Sequence, residues 1–176
     1  MQSNVISFKI DHSRLQPGLY LHEVKDYGSN YVTTYDFRFK KPNKGDYLTP
    51  CQSHTIEHVM AAFFTTRLKD KVYWGPMGCL TGFYLVLNGK HDVIEVADTL
   101  DECEKYWQEL LALDSVPAKN PYRCGNYKLL DIKEGYKAWH EFYSNRANWG
   151  KEYPIIDNCP DDEDYSKDIS YDINLK

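Results

Sequence analysis

The segment from residue 18 to residue 39 constrains the fold most strongly, because two kinds of side chain alternate along it. Its second half places one set at Tyr31, Thr33, Tyr35, Phe37 and Phe39, and the other at Val32, Thr34, Asp36 and Arg38. Such alternation predicts strands that bury one face. The interruption at residues 27–30, Tyr-Gly-Ser-Asn, predicts the turn of an antiparallel hairpin.

Three later segments have helical periodicity, over about residues 49–68, 92–113 and 131–143. The first opens with Thr49-Pro50, where the threonine can cap free amide groups and the proline suits the first helical position. The last opens with Asp131 and has Glu134 three residues later, which is the spacing of a capping box. Cys103 lies in the apolar stripe of the second helix, so we expect it in the core.

Short apolar runs predict the remaining strands. Tyr73-Trp74 and residues 81–87 flank a glycine-containing turn, and another short strand is expected over residues 127–130. Strands and helices are interspersed, without a glycine-rich phosphate loop or an internal repeat. We therefore expect an α+β fold, in which an antiparallel sheet has helices packed on one face. A length of 176 residues suits a single domain.

Acidic residues are concentrated at the C-terminal end. Residues 157–176 contain seven acids and two bases, which account for the whole net charge of −5. A neutral body offers no basic surface to nucleic acid or to an anionic membrane, so we expect a small molecule or another protein as partner. We expect a catalytic domain over residues 1–156 and a flexible acidic tail over residues 157–176.

The sequence also indicates a compartment and a redox state. It contains neither a secretory leader pattern nor a run of about 18 apolar residues, so we expect a cytoplasmic protein without a membrane span. Its five cysteines have no paired spacing. In a reducing cytosol this favours free thiols, metal ligands or nucleophiles over a disulfide framework.

The strongest local signal is His54-Thr55-Ile56-Glu57-His58 within the first predicted helix. Residues four apart share a helical face, so His54 and His58 can present their imidazoles to one ion. Glu57 lies beside them and can move protons near the ion without binding it. The alternative is two solvent-exposed histidines without a metal, and the small residues that follow the motif favour the metal site.

A third ligand is needed, because a catalytic zinc site usually has three protein ligands and one open position. Cys51 lies three residues before His54 and shares its face, whereas Cys124 precedes Gly125 in an irregular segment where a side chain can be aimed freely. Cys79 and the more distant histidines are further candidates. The spacing does not choose between Cys51 and Cys124.

Cys79 follows Gly75-Pro76-Met77-Gly78 and precedes Gly82. Such a turn can present a thiolate and exposed amide groups, and a nearby dication would favour the thiolate form. Cys79 is therefore a candidate acid/base or nucleophile. The alternative is a buried small hydrophobic residue beside a strand.

Taken together, the motifs resemble those of the S-ribosylhomocysteine lyase (LuxS) family, in its order and spacing from about Ser7 to Tyr143. They are Ser7-Phe8-x-x-Asp11-His12, Asp36-x-Arg38-Phe39, Pro42-Asn43, His54-x-x-Glu57-His58, Pro76-Met77-Gly78-Cys79-x-Thr81-Gly82 and Cys124-Gly125-Asn126. Two departures stand out. Tyr73 occupies a position where the family usually has an acidic residue, and the chain from about Asn148 extends past the usual end.

The resemblance implies a metal-dependent cleavage of S-ribosylhomocysteine to homocysteine and 4,5-dihydroxy-2,3-pentanedione, the autoinducer-2 precursor, by a homodimer with active sites at the subunit interface. The metal would be Fe(II), with Zn or Co possible in purified protein. The implied residues fall into three roles: His54, His58 and Cys124 as metal ligands, Glu57 and Cys79 as the catalytic acid/base pair, and Ser7, His12 and Arg38 as substrate contacts.

The rival enzyme class is an H-x-x-E-H zinc metallopeptidase, in which Glu57 would activate a water molecule. That class normally takes a carboxylate or histidine as third ligand and leaves Cys79 and Cys124 without a role. A structural metal site in a small binding module is the non-enzymatic alternative. Closed structural sites favour four protein ligands and do not need a thiol at a glycine turn.

Overall fold

The structure is a computed structural model that describes residues 5–156. Its sheet has four strands in the order β1-β2-β4-β3, and all neighbours are antiparallel. The strands are β1 (Gly18–Asp26), β2 (Tyr31–Arg38), β3 (Lys71–Pro76) and β4 (Gly82–Asn88). The predicted hairpin is confirmed as β1 and β2. The proposed tail, residues 157–176, lies outside the described residues.

Three helices pack on one face of this sheet: α1 (Pro50–Arg67), α2 (Val93–Ala112) and α3 (Ile132–Ser144). Thr49 caps α1 as expected, and the side chain of Gln52 completes a capping box. Asp131 caps α3, but the Glu134 carboxylate accepts a hydrogen bond from Gln52 instead of closing a second box. The predicted α+β fold and single domain are confirmed.

The buried face of β2 is the one that the alternation predicted. Thr33, Tyr35, Phe37 and Phe39 are buried against the helices. The ring of Phe37 contacts Phe64 of α1, Trp74 of β3 and Phe142 of α3. Full burial of one such ring contributes about 1.5–3 kcal/mol to the free energy of unfolding. This aromatic layer therefore holds α1 and α3 against the sheet. Cys103 is buried in the same core, as expected.

The opposite face of β2 is also buried at the C-terminal end of the strand, which the sequence did not predict. Asp36 is fully buried and Arg38 is 3% exposed. A C-terminal segment, residues 150–156, lies near them, and the hydroxyl of Tyr153 donates a hydrogen bond to Asp36. This segment also pairs with the N-terminal region through an isolated antiparallel bridge between Ile10 and Ile155.

The predicted strand over residues 127–130 is wrong. Tyr127–Leu129 form a 3₁₀ helix, in which the amides of Leu129 and Leu130 donate to the carbonyls of Asn126 and Tyr127. These local bonds satisfy the backbone, so the segment needs no partner strand. Within residues 5–156, no helix is both long and apolar enough to cross a bilayer.

Candidate active site

Helix α1 presents its two histidines on the side away from its apolar stripe. Ile56, Val59 and Met60 are buried in the core, while His54 and His58 are only partly buried. The two imidazole rings lie 4.7 Å apart, centroid to centroid, and nearly perpendicular. The helical spacing therefore brings both rings to one place, as the sequence predicts.

The loop between α2 and the 3₁₀ helix brings Cys124 to these histidines. Asn120 organises the loop, because its backbone carbonyl accepts from the amides of Arg123 and Cys124 and its side chain accepts from Tyr122 and Arg123. The sulfur of Cys124 lies 3.4 Å from Nε2 of His54. We call His54, His58 and Cys124 the metal group, since their ligand atoms all lie within 4.8 Å of one another.

The donor set of the metal group fits a transition metal. Two tetrahedral ligands at zinc-like distances, nitrogen at about 2.1 Å and sulfur at about 2.3 Å, lie roughly 3.6 Å apart. The distance of 3.4 Å between Cys124 Sγ and His54 Nε2 is close to that value. Three protein ligands leave a position for water or substrate, which is the pattern of catalytic sites.

Hydrogen bonding and charge also prepare the histidines as ligands. Nδ1 of His58 is 2.9 Å from the carbonyl oxygen of Pro117, so it donates there and leaves Nε2 for a metal. Burial and the neighbouring His58 lower the pKa of His54, although Glu57 opposes this shift. A lowered pKa favours the neutral imidazole that metals bind.

Cys51 is not part of the metal group. Its thiol is partly buried, and burial together with the Asp131 carboxylate raises its pKa. A metal ligand must be a thiolate, so this acidic surrounding disfavours Cys51 as the third ligand. Of the two cysteines, Cys124 is the one whose sulfur lies with the ring nitrogens of His54 and His58.

Glu57 lies beside the metal group without belonging to it. Its carboxylate is close enough to influence the charge of His54, and the side chain is partly buried. Among residues 5–156, the group of potential ligands contains no carboxylate. Glu57 therefore lies next to the metal group, as its position in the motif suggests.

Cys79 lies in the turn between β3 and β4, and its thiol is exposed, which excludes the buried alternative. The turn is closed by hydrogen bonds from the amide of Met77 to the carbonyl of Gly82 and from the amide of Leu80 to that of Met77. Leu80 has a φ of 59°, which glycine normally takes. Gly82 passes so close to β2 that a Cβ would collide with the Phe37 carbonyl.

Arg38 connects this turn to the sheet. Its Nη2 donates to Asp36 Oδ2 at 2.6 Å, and its Nη1 donates to Thr81 Oγ1 at 2.6 Å and lies 3.8 Å from Cys79 Sγ. The hydroxyl of Thr81 is 3.0 Å from the same sulfur. We call Asp36, Arg38, Cys79, Thr81 and Tyr153 the sheet-end group.

Ser7 and His12 lie in the N-terminal segment. Ser7 is part of a 3₁₀ helix, Ile6–Lys9, and both side chains are partly buried. Nδ1 of His12 is 2.9 Å from the carbonyl oxygen of Ile10, which fixes the ring orientation. Among the described residues, no hydrogen bond joins either side chain to the metal group or to the sheet-end group.

The structure thus assembles the predicted site in separate parts. The metal group with Glu57, the sheet-end group with Arg38 and Cys79, and the N-terminal segment are each internally ordered. Within residues 5–156, no hydrogen bond or ion pair links Cys79 or Arg38 to the metal group.

Comparison with known proteins gives the family. The sequence model of S-ribosylhomocysteinase (LuxS) matches residues 5–153 of the chain. The chain belongs to the LuxS family. The match continues beyond Asn148, so the family's part of the chain ends later than the sequence motifs suggested.

Curated LuxS relatives match along most of their length. The S-ribosylhomocysteine lyase of Desulfotalea psychrophila is 34% identical over 157 residues, covering 85% of this chain and 98% of that protein. The corresponding lyase of Phocaeicola vulgatus is 37% identical, with 84% and 95% coverage. That of Porphyromonas gingivalis strain ATCC 33277 is 39% identical over 130 residues, with 72% and 80% coverage.

Sequence reasoning missed one contributor to the site of this LuxS chain. Tyr153 follows the last helix, in a stretch without periodicity, and no local pattern marks it. Asp36 and Thr81 lie within the quoted motifs, but only the structure gives them partners. Tyr73, the departure from the family pattern, is 53% exposed on β3.

Proposed function

We propose that this protein cleaves S-ribosylhomocysteine to homocysteine and 4,5-dihydroxy-2,3-pentanedione. The observation that carries the proposal is the convergence of His54, His58 and Cys124 beside Glu57, in a chain of the LuxS family. The relatives from Desulfotalea psychrophila, Phocaeicola vulgatus and Porphyromonas gingivalis are named as this lyase. The cysteine ligand separates the site from that of an H-x-x-E-H metallopeptidase.

Cleaving a thioether in this way requires the sugar carbonyl to migrate until it lies β to the carbon–sulfur bond. Each migration removes a proton from one carbon and returns a proton to the next, and a final proton loss expels homocysteine. We propose that His54, His58 and Cys124 hold Fe(II), with Zn or Co as substitutes in purified protein. Such a metal, when bound, would act as a Lewis acid on the carbonyl oxygen.

Glu57 and Cys79 are the proposed proton carriers. Glu57 lies beside the metal group, and Cys79 has an exposed thiol with the Arg38 guanidinium 3.8 Å away. An exposed thiol and a partly buried carboxylate can each exchange a proton with a substrate bound against them. Arg38, with Ser7 and His12 of the N-terminal segment, is proposed to hold the substrate.

A homodimer with shared active sites is part of the proposal. Within residues 5–156, no hydrogen bond or ion pair links Cys79 to the metal group, whereas the reaction needs both on one substrate. A second copy can supply the missing half, and a two-fold dimer would then contain two equivalent sites. The register of β2, β4 and β3 places Tyr73 on the sheet face away from the helices, where its 53% exposed ring offers such a contact an apolar group.

The test of the reaction is release of thiol from S-ribosylhomocysteine by the purified protein, with bound metal measured on the same sample. We expect Cys79→Ala and Glu57→Gln to lose about 100-fold or more of the turnover and to keep their metal. Cys51→Ala and Glu102→Gln are the matched controls and should keep both. A wild-type protein that has full metal and releases no thiol would overturn the function.

Sharing of sites between subunits has its own test. Cys79→Ala and Glu57→Gln are each inactive, but a mixture that exchanges subunits should regain about a quarter of wild-type activity, because half of the dimers are mixed and each has one intact site. If both residues came from one subunit, every site in the mixture would carry a defect. Absence of recovery in a sample shown to exchange subunits therefore contradicts the shared site.

A further inference from the structure

The ion pair between Asp36 and Arg38 has an unusual geometry for a buried pair. One bond joins Nη2 of Arg38 to Oδ2 of Asp36, at 2.6 Å. Within residues 5–156, Oδ1 of Asp36 and Nε of Arg38 are buried without a hydrogen-bond partner. Arginine and a carboxylate commonly form two parallel bonds, which would satisfy both of these atoms. The single-bonded arrangement is therefore held by other contacts.

The single bond leaves the other end of the guanidinium free to reach Cys79. Nη1 donates to Thr81 Oγ1 at 2.6 Å and lies 3.8 Å from Cys79 Sγ. If the guanidinium turned to give Asp36 two bonds through Nε and Nη2, Nη1 would leave this position. The orientation of Asp36 thus controls how closely a positive charge approaches the thiol.

Tyr153 fixes the orientation of Asp36. Its hydroxyl donates to Oδ2, the same oxygen that accepts from Arg38, at 3.0 Å. Burial and the Asp36 carboxylate raise the pKa of Tyr153, so the hydroxyl stays protonated and remains a donor. The ring stacks on Tyr20 with centroids 4.9 Å apart and planes 12° apart, which prevents it from following a rotating carboxylate.

The backbone around Tyr153 is also anchored. The amide of Asp11 donates to the carbonyl of Pro154 at 2.7 Å, and the amide of Ile156 donates to the carbonyl of Lys9 at 3.0 Å. Arg14 Nη2 adds a bond to the carbonyl of Ile155 at 2.6 Å. The C-terminal segment is thereby tied to the N-terminal segment that carries the proposed substrate contacts.

We propose that Tyr153 is a positioning residue, which holds Arg38 against Cys79 by fixing the Asp36 carboxylate. This inference rests on the proposed function for the roles of Arg38 and Cys79. Without the Tyr153 hydroxyl, Asp36 can rotate and offer Oδ1 to Nε of Arg38. The two-bonded pair then draws Nη1 away from the thiol.

The test compares Tyr153→Phe with Tyr20→Phe in the full chain. Tyr20 is a matched control, because its ring forms the other half of the same stack and its buried hydroxyl donates to a backbone carbonyl, that of Gln16, at 2.9 Å. Each variant loses the phenolic hydroxyl of one ring of this stack, and Tyr153→Phe also loses a longer contact between that hydroxyl and Nδ1 of His22, at 3.3 Å. Only Tyr153→Phe loses the bond to Asp36.

The primary measurement is the rate at which iodoacetamide alkylates Cys79, followed by peptide mass mapping so that the other four cysteines are counted separately. The thiolate is the form that reacts with this reagent, so the rate reports on the charges that surround the sulfur, and Nη1 of Arg38 lies 3.8 Å from it. We expect Tyr153→Phe to slow this alkylation about five-fold, the equivalent of one hydrogen bond, and Tyr20→Phe to leave it at the wild-type rate. Equal rates in the two variants would overturn the proposal.

The second measurement is the KM for S-ribosylhomocysteine, which should rise about five-fold in Tyr153→Phe and stay unchanged in Tyr20→Phe. Alkylation of Cys79 does not require S-ribosylhomocysteine, so its rate tests the role of Tyr153 independently of the proposed lyase activity. A wild-type protein that releases no homocysteine refutes the proposed function, while the alkylation rates still decide the role of Tyr153.

Discussion

The metal group and the sheet-end group are built in opposite ways. His54 and His58 lie one turn apart on one helix, so regular α-helical geometry places them without help from the rest of the fold. Arg38 ends β2, Cys79 lies in the turn between β3 and β4, and Tyr153, which bonds to Asp36, lies after the last helix. A motif within one element survives small changes in packing, whereas a group drawn from several elements depends on all of them.

Removing the one distant ligand of the metal group should have the largest effect. We expect Cys124→Ala to weaken metal binding about 1,000-fold or more, because a protein zinc site is worth roughly 10–16 kcal/mol shared among a few ligands. Cys51→Ala should bind metal as the wild type does. Metal per chain after dialysis against a chelator measures both. Loss of metal in Cys51→Ala with retention in Cys124→Ala would reverse the assignment of the third ligand.

The next largest effect should be on the free energy of unfolding, when the buried ion pair of the sheet-end group is broken. Asp36→Asn leaves the Arg38 guanidinium buried without its counter-charge, which typically costs about 3–5 kcal/mol. Urea unfolding gives the free energy of unfolding. The control is Glu102→Gln, which removes an ion pair with Arg67 whose side chains are 60% and 54% exposed and should change stability by about 1 kcal/mol or less. Similar losses in the two variants would show that Asp36 acts as a surface charge.

A third variant, with a smaller expected effect, tests whether metal binding depends on the stability of the start of α1. Thr49→Ala removes the cap and its capping box, which should lower the free energy of unfolding by about 1 kcal/mol. Because the first helical turn holds neither histidine, bound metal should stay at the wild-type amount. A fall in metal content of the folded variant would mean that the metal group depends on the helix start.

The smallest expected effects are on how the free energy of unfolding changes with pH, and they have opposite signs for His22 and His91. Burial lowers the pKa of His22, which lies beside Tyr153. The unfolded state then binds more protons, so stability is lost as the pH falls from about 6.5 toward the lowered value. His22→Gln should remove about 1 kcal/mol or less of this loss, as measured by urea unfolding at pH 8 and pH 5.

His91 provides the opposite case for comparison. Burial alone would lower its pKa, but bonds to the Asn88 carbonyl and to Glu95 outweigh burial and raise it. Its contribution is fully present below the unfolded pKa of about 6.5 and is lost as the pH rises through the folded value. His91→Gln should therefore lose more stability on acidification than the wild type. The same sign in both variants would contradict this account.

The sequence specified much of this fold because its signals are local. The alternation in β2 is visible within eight consecutive residues, and the caps of α1 at Thr49 and of α3 at Asp131 are satisfied by amides two or three residues away. Residues 127–130 gave the wrong prediction because their apolar character is a local signal as well. A strand also needs a partner strand, and within residues 5–156 these residues have none.

The sequence by itself determined that His54 and His58 share one helical face with Glu57 beside them, because the spacing within one motif fixes this, and the family resemblance added Cys124. Only the tertiary structure brought the sulfur of Cys124 within 3.4 Å of His54 and left Cys51 outside the metal group. It also decided that Asp36 and Arg38 are buried and that Tyr153 lies against Asp36. Contacts between residues more than 100 positions apart leave no periodic trace in the chain, so packing alone creates them.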